Sequence, residues 1–271
     1  MAKPKSLILT GFGINCNYET EQAFASAGAE TEQVHINQLR TGEKNLDDYT
    51  ILALPGGFAH GDELGAGKAL AVKLTTELGD KVQKFIDDGK LVIGICNGFQ
   101  ALVKTGFLPG KEYGTEQTVT LTSNDSGRFR DDWVYLKINP DSPCVWTKGI
   151  ENIMLPIRHG EGKFVAGEET LGKIAGRNQI AMQYADGNYS LAEGRFPFNP
   201  NSSPYDIAGI CGTTGRIFGL MPHPEGNLNF TNNPYWTRIA DRLRREGKEI
   251  PECGQGAQIF RNAVEFVRKN L

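Results

Sequence analysis

Cys96 sits between two glycines in Gly94-Ile95-Cys96-Asn97-Gly98. The residues before it, Leu91-Val92-Ile93, are apolar and rich in β-branching, and Phe99 to Lys104 favour a helix. A strand that bends sharply into a helix, with a nucleophile at the bend, is a nucleophile elbow. Glycines are needed because the strained turn leaves little room for Cβ atoms. The helix start behind Cys96 favours a thiolate and offers free N–H groups to an oxyanion. A buried core cysteine in a parallel strand is the other reading of this stretch.

A cysteine nucleophile needs a base, and the base needs an orienting carboxylate. Met221-Pro222-His223-Pro224-Glu225-Gly226 supplies both types. The two prolines fix the backbone around His223 and remove competing N–H donors. Glu225 is two residues on, within reach of the imidazole. Taken alone, the hexapeptide also reads as a structural turn. For an oxyanion hole, Asn97 supplies one N–H directly after the nucleophile. Gly57, in the Pro55-Gly56-Gly57 turn, is the natural second donor; the alternative is a simple turn. His159 and Glu161 are close to a second acid/base pair, and read either as lining the route to a partner or bracing the site, or as a hydrogen-bonded loop. Arg128 reads as an anion-binding interface residue or as a surface ion pair. His35 reads as structural. Cys16, Cys144, Cys211 and Cys253 lack elbow glycines and read as inert.

These residues require strands and helices to bring them together. Ser6–Phe12, Glu32–Ile36, Ile51–Leu54 and Leu91–Ile95 read as strands, with helices over Tyr18–Ala27, over Ala66–Asp88 with a break near Gly79, and after Cys96 to about Thr105. Strands alternating with helices argue for a mostly parallel sheet covered on both faces. Ligands on such sheets bind at the carboxyl ends of the strands, where Pro55-Gly56-Gly57 and Cys96 both fall. The second half reads differently. Val119–Thr122, Val134–Ile138, Ile153–Ile157 and Ile180–Tyr184 look like strands with few helices between them, which predicts antiparallel ribbons. Phe196–Pro204 reads as a surface loop, Ile207–Cys211 and Ile217–Leu220 as a hairpin, and Tyr235–Arg245 and Ala257–Lys269 as helices.

The bulk properties exclude several classes. Net charge is −3, and no basic stripe of the kind nucleic-acid binders carry stands out. Arg238 to Lys248 alternates with acidic residues and reads as a solvated helix face. The five cysteines include no C-x-x-C pair, which argues against a disulfide framework or a resident zinc site and for reduced thiols in the cytoplasm. No stretch approaches the ~18 apolar residues of a membrane span. The first apolar run is too short for a signal peptide and reads as a core strand. With no internal repeat or low-complexity linker, residues 1–271 are read as one domain.

Pro-Gly-Gly, Gly-x-Cys-x-Gly-x-Gln and His-Pro-Glu, in this order, resemble the motifs of the class I (triad) glutamine amidotransferases. The resemblance implies a flavodoxin-like α/β fold and a Cys96-His223-Glu225 triad. It implies glutamine hydrolysis through a glutamyl thioester, with ammonia passed to a partner site. Gln100 would help hold the amino-acid end of the substrate. Six blocks, at 56–62, 94–100, 121–129, 159–164, 199–203 and 221–225, narrow the resemblance to the glutaminase subunits of phosphoribosylformylglycinamidine synthases. The chain departs from that pattern in one loop, where His60, Glu63 and Gly65 replace a Tyr, a Tyr and an Arg. The block at 199–203 is altered at Ser202, and residues 227–256 match poorly.

The resemblance further implies a synthetase subunit as partner, which binds ATP, magnesium and formylglycinamide ribonucleotide. A small third subunit is left open. No cofactor or metal is expected in this chain, which has no Walker-type phosphate loop. Two other readings stand beside this one. A DJ-1/PfpI-like Cys-elbow protein would usually have His directly after the elbow cysteine, where this chain has Asn97. A non-catalytic regulatory subunit would show no selective reactivity at Cys96.

Overall fold

The computed structural model describes residues 4–110 and 117–271. Its first half is built from β1 (Lys5–Thr10), α1 (Asn17–Ser26), β2 (Glu30–His35), α2 (Ile36–Thr41), β3 (Ile51–Leu54), α3 (Lys68–Thr76), α4 (Gly79–Asp87), β4 (Leu91–Ile95) and α5 (Asn97–Lys104). The second half adds β5 (Val119–Thr122), β6 (Arg130–Ile138), β7 (Asn152–His159), β8 (Lys163–Ala166), α6 (Glu168–Gly176), β9 (Ile180–Ala185), β10 (Ile207–Cys211), β11 (Ile217–Leu220), α7 (Trp236–Arg245) and α8 (Ala257–Asn270).

Nine strands form one sheet in the order β2-β1-β3-β4-β11-β10-β9-β6-β7. The five from β2 to β11 run parallel, and from β11 onward each neighbour is antiparallel. This is the mostly parallel α/β sheet with antiparallel strands in the second half that the sequence predicts. The parallel strands are near-continuous apolar runs because both faces are covered. All four residues of β3 and all five of β4 are buried.

The chain leaves β1 in one direction to reach β2 and leaves β3 in the other to reach β4. Right-handed crossovers therefore place α1 on one face and α3 to α5 on the opposite face. On the α1 side, Phe24 meets Phe260 of α8 edge-on at 5.0 Å. The reversal between β1 and β3 opens the crevice in which such sheets hold their ligands. The segments that leave the carboxyl ends of β1, β3, β4 and β11 converge there. They carry Gly11–Cys16, Pro55–Ala59, Cys96 and Met221–Glu225.

Two elements are not foreseen in the sequence, and one expectation needs correction. Among the described residues one α-helix, α6, stands between β5 and β9, consistent with few helices there; Gly172 and Gly176 hide it, while Glu168 and Glu169 favour its first turn. β8 is a further strand, paired antiparallel with β5 in a separate ribbon. Residues 199–203 are not a surface loop, because Asn199, Asn201 and Ser203 are buried. Their polar groups are consumed internally. Asn201 Nδ2 donates to the Gly162 carbonyl at 2.7 Å and to the Tyr184 hydroxyl at 3.1 Å. Ser203 Oγ accepts from the Phe164 N–H at 2.9 Å. Phe196, Pro197, Phe198 and Ser202 are solvent-facing, as composition suggests. The break near Gly79 is present, separating α3 from α4.

Candidate active site

Cys96 occupies the bend between β4 and α5 with φ 51° and ψ −107°. A non-glycine residue at positive φ is strained, and a site that retains such strain has it over-determined by its surroundings. Here the fixing is close packing. A Cβ on Gly98 would overlap the Leu54 carbonyl, and one on Gly94 would lie 2.6 Å from the Gly98 carbonyl oxygen. The elbow thus needs glycine at both places, one to approach β3 and one to let α5 fold back over β4. The Cys96 N–H donates to the Leu220 carbonyl at 2.8 Å, tying the bend to β11.

β11 then delivers His223 and Glu225. His223 N–H donates to the Pro156 carbonyl at 2.8 Å. Its ring Nδ1 and Glu225 Oε1 are 2.6 Å apart. His223 is 2% exposed, and Glu225 and Cys96 are 5% exposed, so the cluster is closed off from solvent. Burial disfavours the imidazolium, but Glu225 and the neighbouring Cys96 more than offset it, so the His223 pKa lies well above the usual value. Cys96 and Cys16 both stand beside the ring, yet neither thiol reaches hydrogen-bond geometry with Nε2, which has no partner among the described residues. The Cys96 thiol instead donates to the Arg158 carbonyl at 3.5 Å. A turn of the Cys96 side chain toward Nε2 is needed before a proton can pass between them.

Gly57 and Asn97 are held toward one another. Gly57 has φ +150°, and a Cβ there would press on Ile14 Cα at 2.8 Å. The Phe58 N–H is spent on the Gly13 carbonyl at 2.7 Å. No hydrogen bond from the N–H of Gly57 or of Asn97 is formed among the described residues. The Asn97 side chain bridges the two segments. Its Oδ1 accepts from the Ala59 N–H at 3.0 Å, and its Nδ2 donates to both Asp62 carboxylate oxygens at 3.0 and 3.2 Å and to Gln100 Oε1 at 2.9 Å. Asp62 also accepts from the Gly67 N–H at 3.0 Å. Sequence reasoning singled out the Asn97 backbone and missed this side-chain role and Asp62 altogether.

The remaining residues singled out in sequence fall into place unequally. Gln100 is buried, with Nε2 donating to the Glu161 carbonyl at 2.6 Å and Oε1 accepting from Asn97 at 2.9 Å. It braces the elbow against the 159–162 turn. His159 and Glu161 form no hydrogen bond or ion pair with each other among the described residues. Glu161 Oε2 accepts from the Ala66 N–H at 3.2 Å. His159 Nδ1 lies 3.0 Å from Asn124 Oδ1. Burial first, and then the nearby His223, push the His159 pKa down to about 3, so the ring stays neutral. Arg128 is exposed and pairs with no carboxylate among the described residues. His60, beside Gly61, lies at φ 56°, and Glu63 and Gly65 follow on the same exposed loop. His35 caps α2, its Nδ1 accepting from the Asn37 N–H at 3.2 Å. Of the other cysteines, Cys16 is unexpectedly part of the cluster, because its place is set by the β1–β3 crevice and not by any local motif.

Exposed apolar side chains surround this region: Phe12, Phe58, Leu64, Phe129 and Phe196 are all solvent-facing. Phe58 and Phe129 touch, with ring centroids 6.3 Å apart. Contiguous exposed apolar surface marks an interaction site.

The model for CobB/CobQ-like glutamine amidotransferase domains matches residues 3–267. Over 269 residues the chain is 47% identical to the phosphoribosylformylglycinamidine synthase subunit PurQ of Methanococcus maripaludis, covering 98% of each protein. It is 46% identical to the subunit of the same name from Dehalococcoides mccartyi, covering 99% of this chain and all of the relative. Among solved structures, PurLQS from Thermotoga maritima matches with a TM-score of 0.70 at 28% identity, over 98% of this chain and 100% of that one.

Proposed function

The chain belongs to the CobB/CobQ-like glutamine amidotransferases, and on that premise we infer that it is the glutaminase subunit of a phosphoribosylformylglycinamidine synthase, acting in purine biosynthesis with a synthetase subunit as partner. The observation that carries the chemistry is the convergence of Cys96, His223 and Glu225 at the carboxyl ends of adjacent parallel strands.

In this reading Cys96 Sγ attacks the side-chain carbonyl carbon of glutamine. Its proton passes to His223 Nε2, and Glu225 orients the ring through Nδ1 and stabilises the cation. The carbonyl oxygen becomes an oxyanion held by the N–H groups of Gly57 and Asn97. When the intermediate collapses, the C–N bond breaks and His223 returns the proton to the leaving ammonia. A glutamyl thioester remains on Cys96. Water, deprotonated by His223, then releases glutamate and restores the thiol. Gln100, braced by Glu161 and Asn97, helps to hold the amino-acid end of the substrate.

The ammonia goes to the synthetase, which binds ATP, magnesium and formylglycinamide ribonucleotide in a cytoplasmic complex. The apolar rim at Phe58, Leu64 and Phe129 is the face on which that subunit docks. Two features support coupling of docking to turnover. The triad is closed off, and the Cys96 thiol rests on the Arg158 carbonyl. Glutamine therefore enters only after the groups that cover the triad have moved.

Alkylation by the glutamine analogue diazo-oxo-norleucine tests the assignment. Cys96 alone should be labelled, and faster when the synthetase is bound. Equal labelling of the five cysteines would favour a non-catalytic subunit.

A further inference from the structure

Residues 227–256, which lie outside the motif blocks, wall most of a cavity of about 750 Å³. β6 and β7 add Tyr135 and Met154, and the turn after β9 adds Tyr189. A space of that size suits an organic ligand as large as a nucleotide, not a bare inorganic ion. Much of its wall is aromatic. Tyr135 and Tyr189 meet edge to face with centroids 5.5 Å apart, and Phe230 and Tyr235 join them from the 227–256 stretch. Aromatic faces of this kind stack against flat bases.

The charge of the lining selects for an anion. Among the described residues it holds two arginines, Arg238 and Arg242, and no carboxylate. The two stand four residues apart on α7 and so share one face. Nearby charges pair along the surface, Arg245 with Asp241 at 2.9 Å and Lys248 with Glu246 at 2.7 Å. Arg238 and Arg242 form no ion pair among the described residues. Guanidinium groups grip phosphate through parallel N–H bonds. The lining amides agree. Gln255 Oε1 accepts from the Met154 N–H at 3.0 Å and Asn233 Oδ1 from the Tyr235 N–H at 2.8 Å, which leaves the NH₂ group of each as a donor. An independent observation also points to a ligand. Asn227 lines the same cavity and is 1% exposed, and its Oδ1 has no hydrogen-bond partner among the described residues. Its Nδ2 donates to the Met154 carbonyl at 2.9 Å, which fixes the amide with Oδ1 as the acceptor. Buried polar atoms are nearly always satisfied, and this one calls for an N–H donor.

We propose that this cavity binds a mononucleotide, with its phosphate held by Arg238 and Arg242, its base against Tyr135 and Tyr189, and an amino group of the base donating to Asn227. Adenosine monophosphate (AMP) is the simplest ligand with all three parts. Binding is non-covalent and needs no metal. The site lies apart from Cys96 and does not rest on the glutaminase reading.

Titration calorimetry on the full-length chain, without the synthetase and its own nucleotide sites, tests this with AMP, adenosine and inorganic phosphate as probes. AMP should bind one per chain. Adenosine and phosphate should each bind at least about tenfold more weakly, because each lacks one half of the contacts. Arg238→Ala and Arg242→Ala should each weaken AMP about tenfold and leave adenosine within about twofold. Tyr189→Ala should weaken AMP and adenosine alike, by about fivefold or more. No AMP binding at about 5 mM, AMP affinity unchanged in both arginine variants, or phosphate binding as tightly as AMP would each overturn the proposal. Both arginines are exposed, so their variants decide even if Tyr189→Ala fails to fold. A chain that binds AMP but never hydrolyses glutamine would refute the functional reading and leave the nucleotide site standing, and the converse result would do the reverse.

Discussion

Replacing Asn97 with alanine should cut glutamine hydrolysis about 100-fold while leaving its backbone donor in the protein. The side chain is 1% exposed and joins the elbow to the loop that carries Gly57. Truncation removes its bonds to Ala59, Asp62 and Gln100. At about 1 kcal/mol per bond, with about 1–3 kcal/mol more for the orphaned Ala59 N–H, the loss of stability is roughly 4–6 kcal/mol. The kinetic effect is separate. Loss of one fixed oxyanion donor costs about 2.7–4 kcal/mol of transition-state stabilisation, which is 100-fold or more in kcat. The Gly57 donor is loosened here and not removed, so the lower end applies. KM for glutamine should change by less than about threefold, because the interaction is made mainly in the transition state. Asp62→Asn preserves the shape of the clamp and should lose no more than about tenfold in kcat. The assay is glutamate release by the complex, with ammonia-driven synthesis as the control. A folded Asn97→Ala protein with kcat within about threefold of wild type would refute the clamp, as would an equal fall in ammonia-driven synthesis.

Three further outcomes are expected. The unfolded chain takes up a proton near pH 6.5 that folded His159 refuses until about pH 3; stability therefore falls as pH drops through that window, by about 2 kcal/mol between pH 7 and pH 5 from this group. Denaturant titrations should show that contribution missing from the pH slope of His159→Gln, and an unchanged slope would contradict it. Glu225→Gln should lower kcat by about 10²–10⁴-fold and lower the His223 pKa; because that pKa is raised in the folded protein, the stability advantage of wild type over the variant should be fullest below about pH 6.5 and shrink as pH rises through the folded value. Leu64→Asp, on the exposed rim, should leave the melting temperature of the free chain unchanged but weaken association with the synthetase by about tenfold or more, measured by titration calorimetry; unaltered affinity would place the docking face elsewhere.

The elements that were legible in sequence are those in which local chemistry agrees with the fold. β3 and β4 are unbroken apolar runs because parallel strands are buried on both faces. The elbow announced itself because Gly94 and Gly98 each lie where a Cβ would collide. The rest depends on contacts between distant segments. Cys16 has no motif around it and reaches His223 only because β1 and β3 flank the reversal of strand order. The 199–203 segment has the composition of a loop, yet its polar atoms are satisfied by Gly162, Phe164 and Tyr184. The hydrogen bonds that hold the Gln100 amide, to Glu161 and Asn97, likewise come from the fold and not from a local motif.

The reconstituted complex offers the most direct test of the Cys96 assignment. With synthetase, ATP and formylglycinamide ribonucleotide supplied, Cys96→Ala should make no product from glutamine yet match wild type when ammonia is given. Product formation from glutamine by that variant would contradict the account.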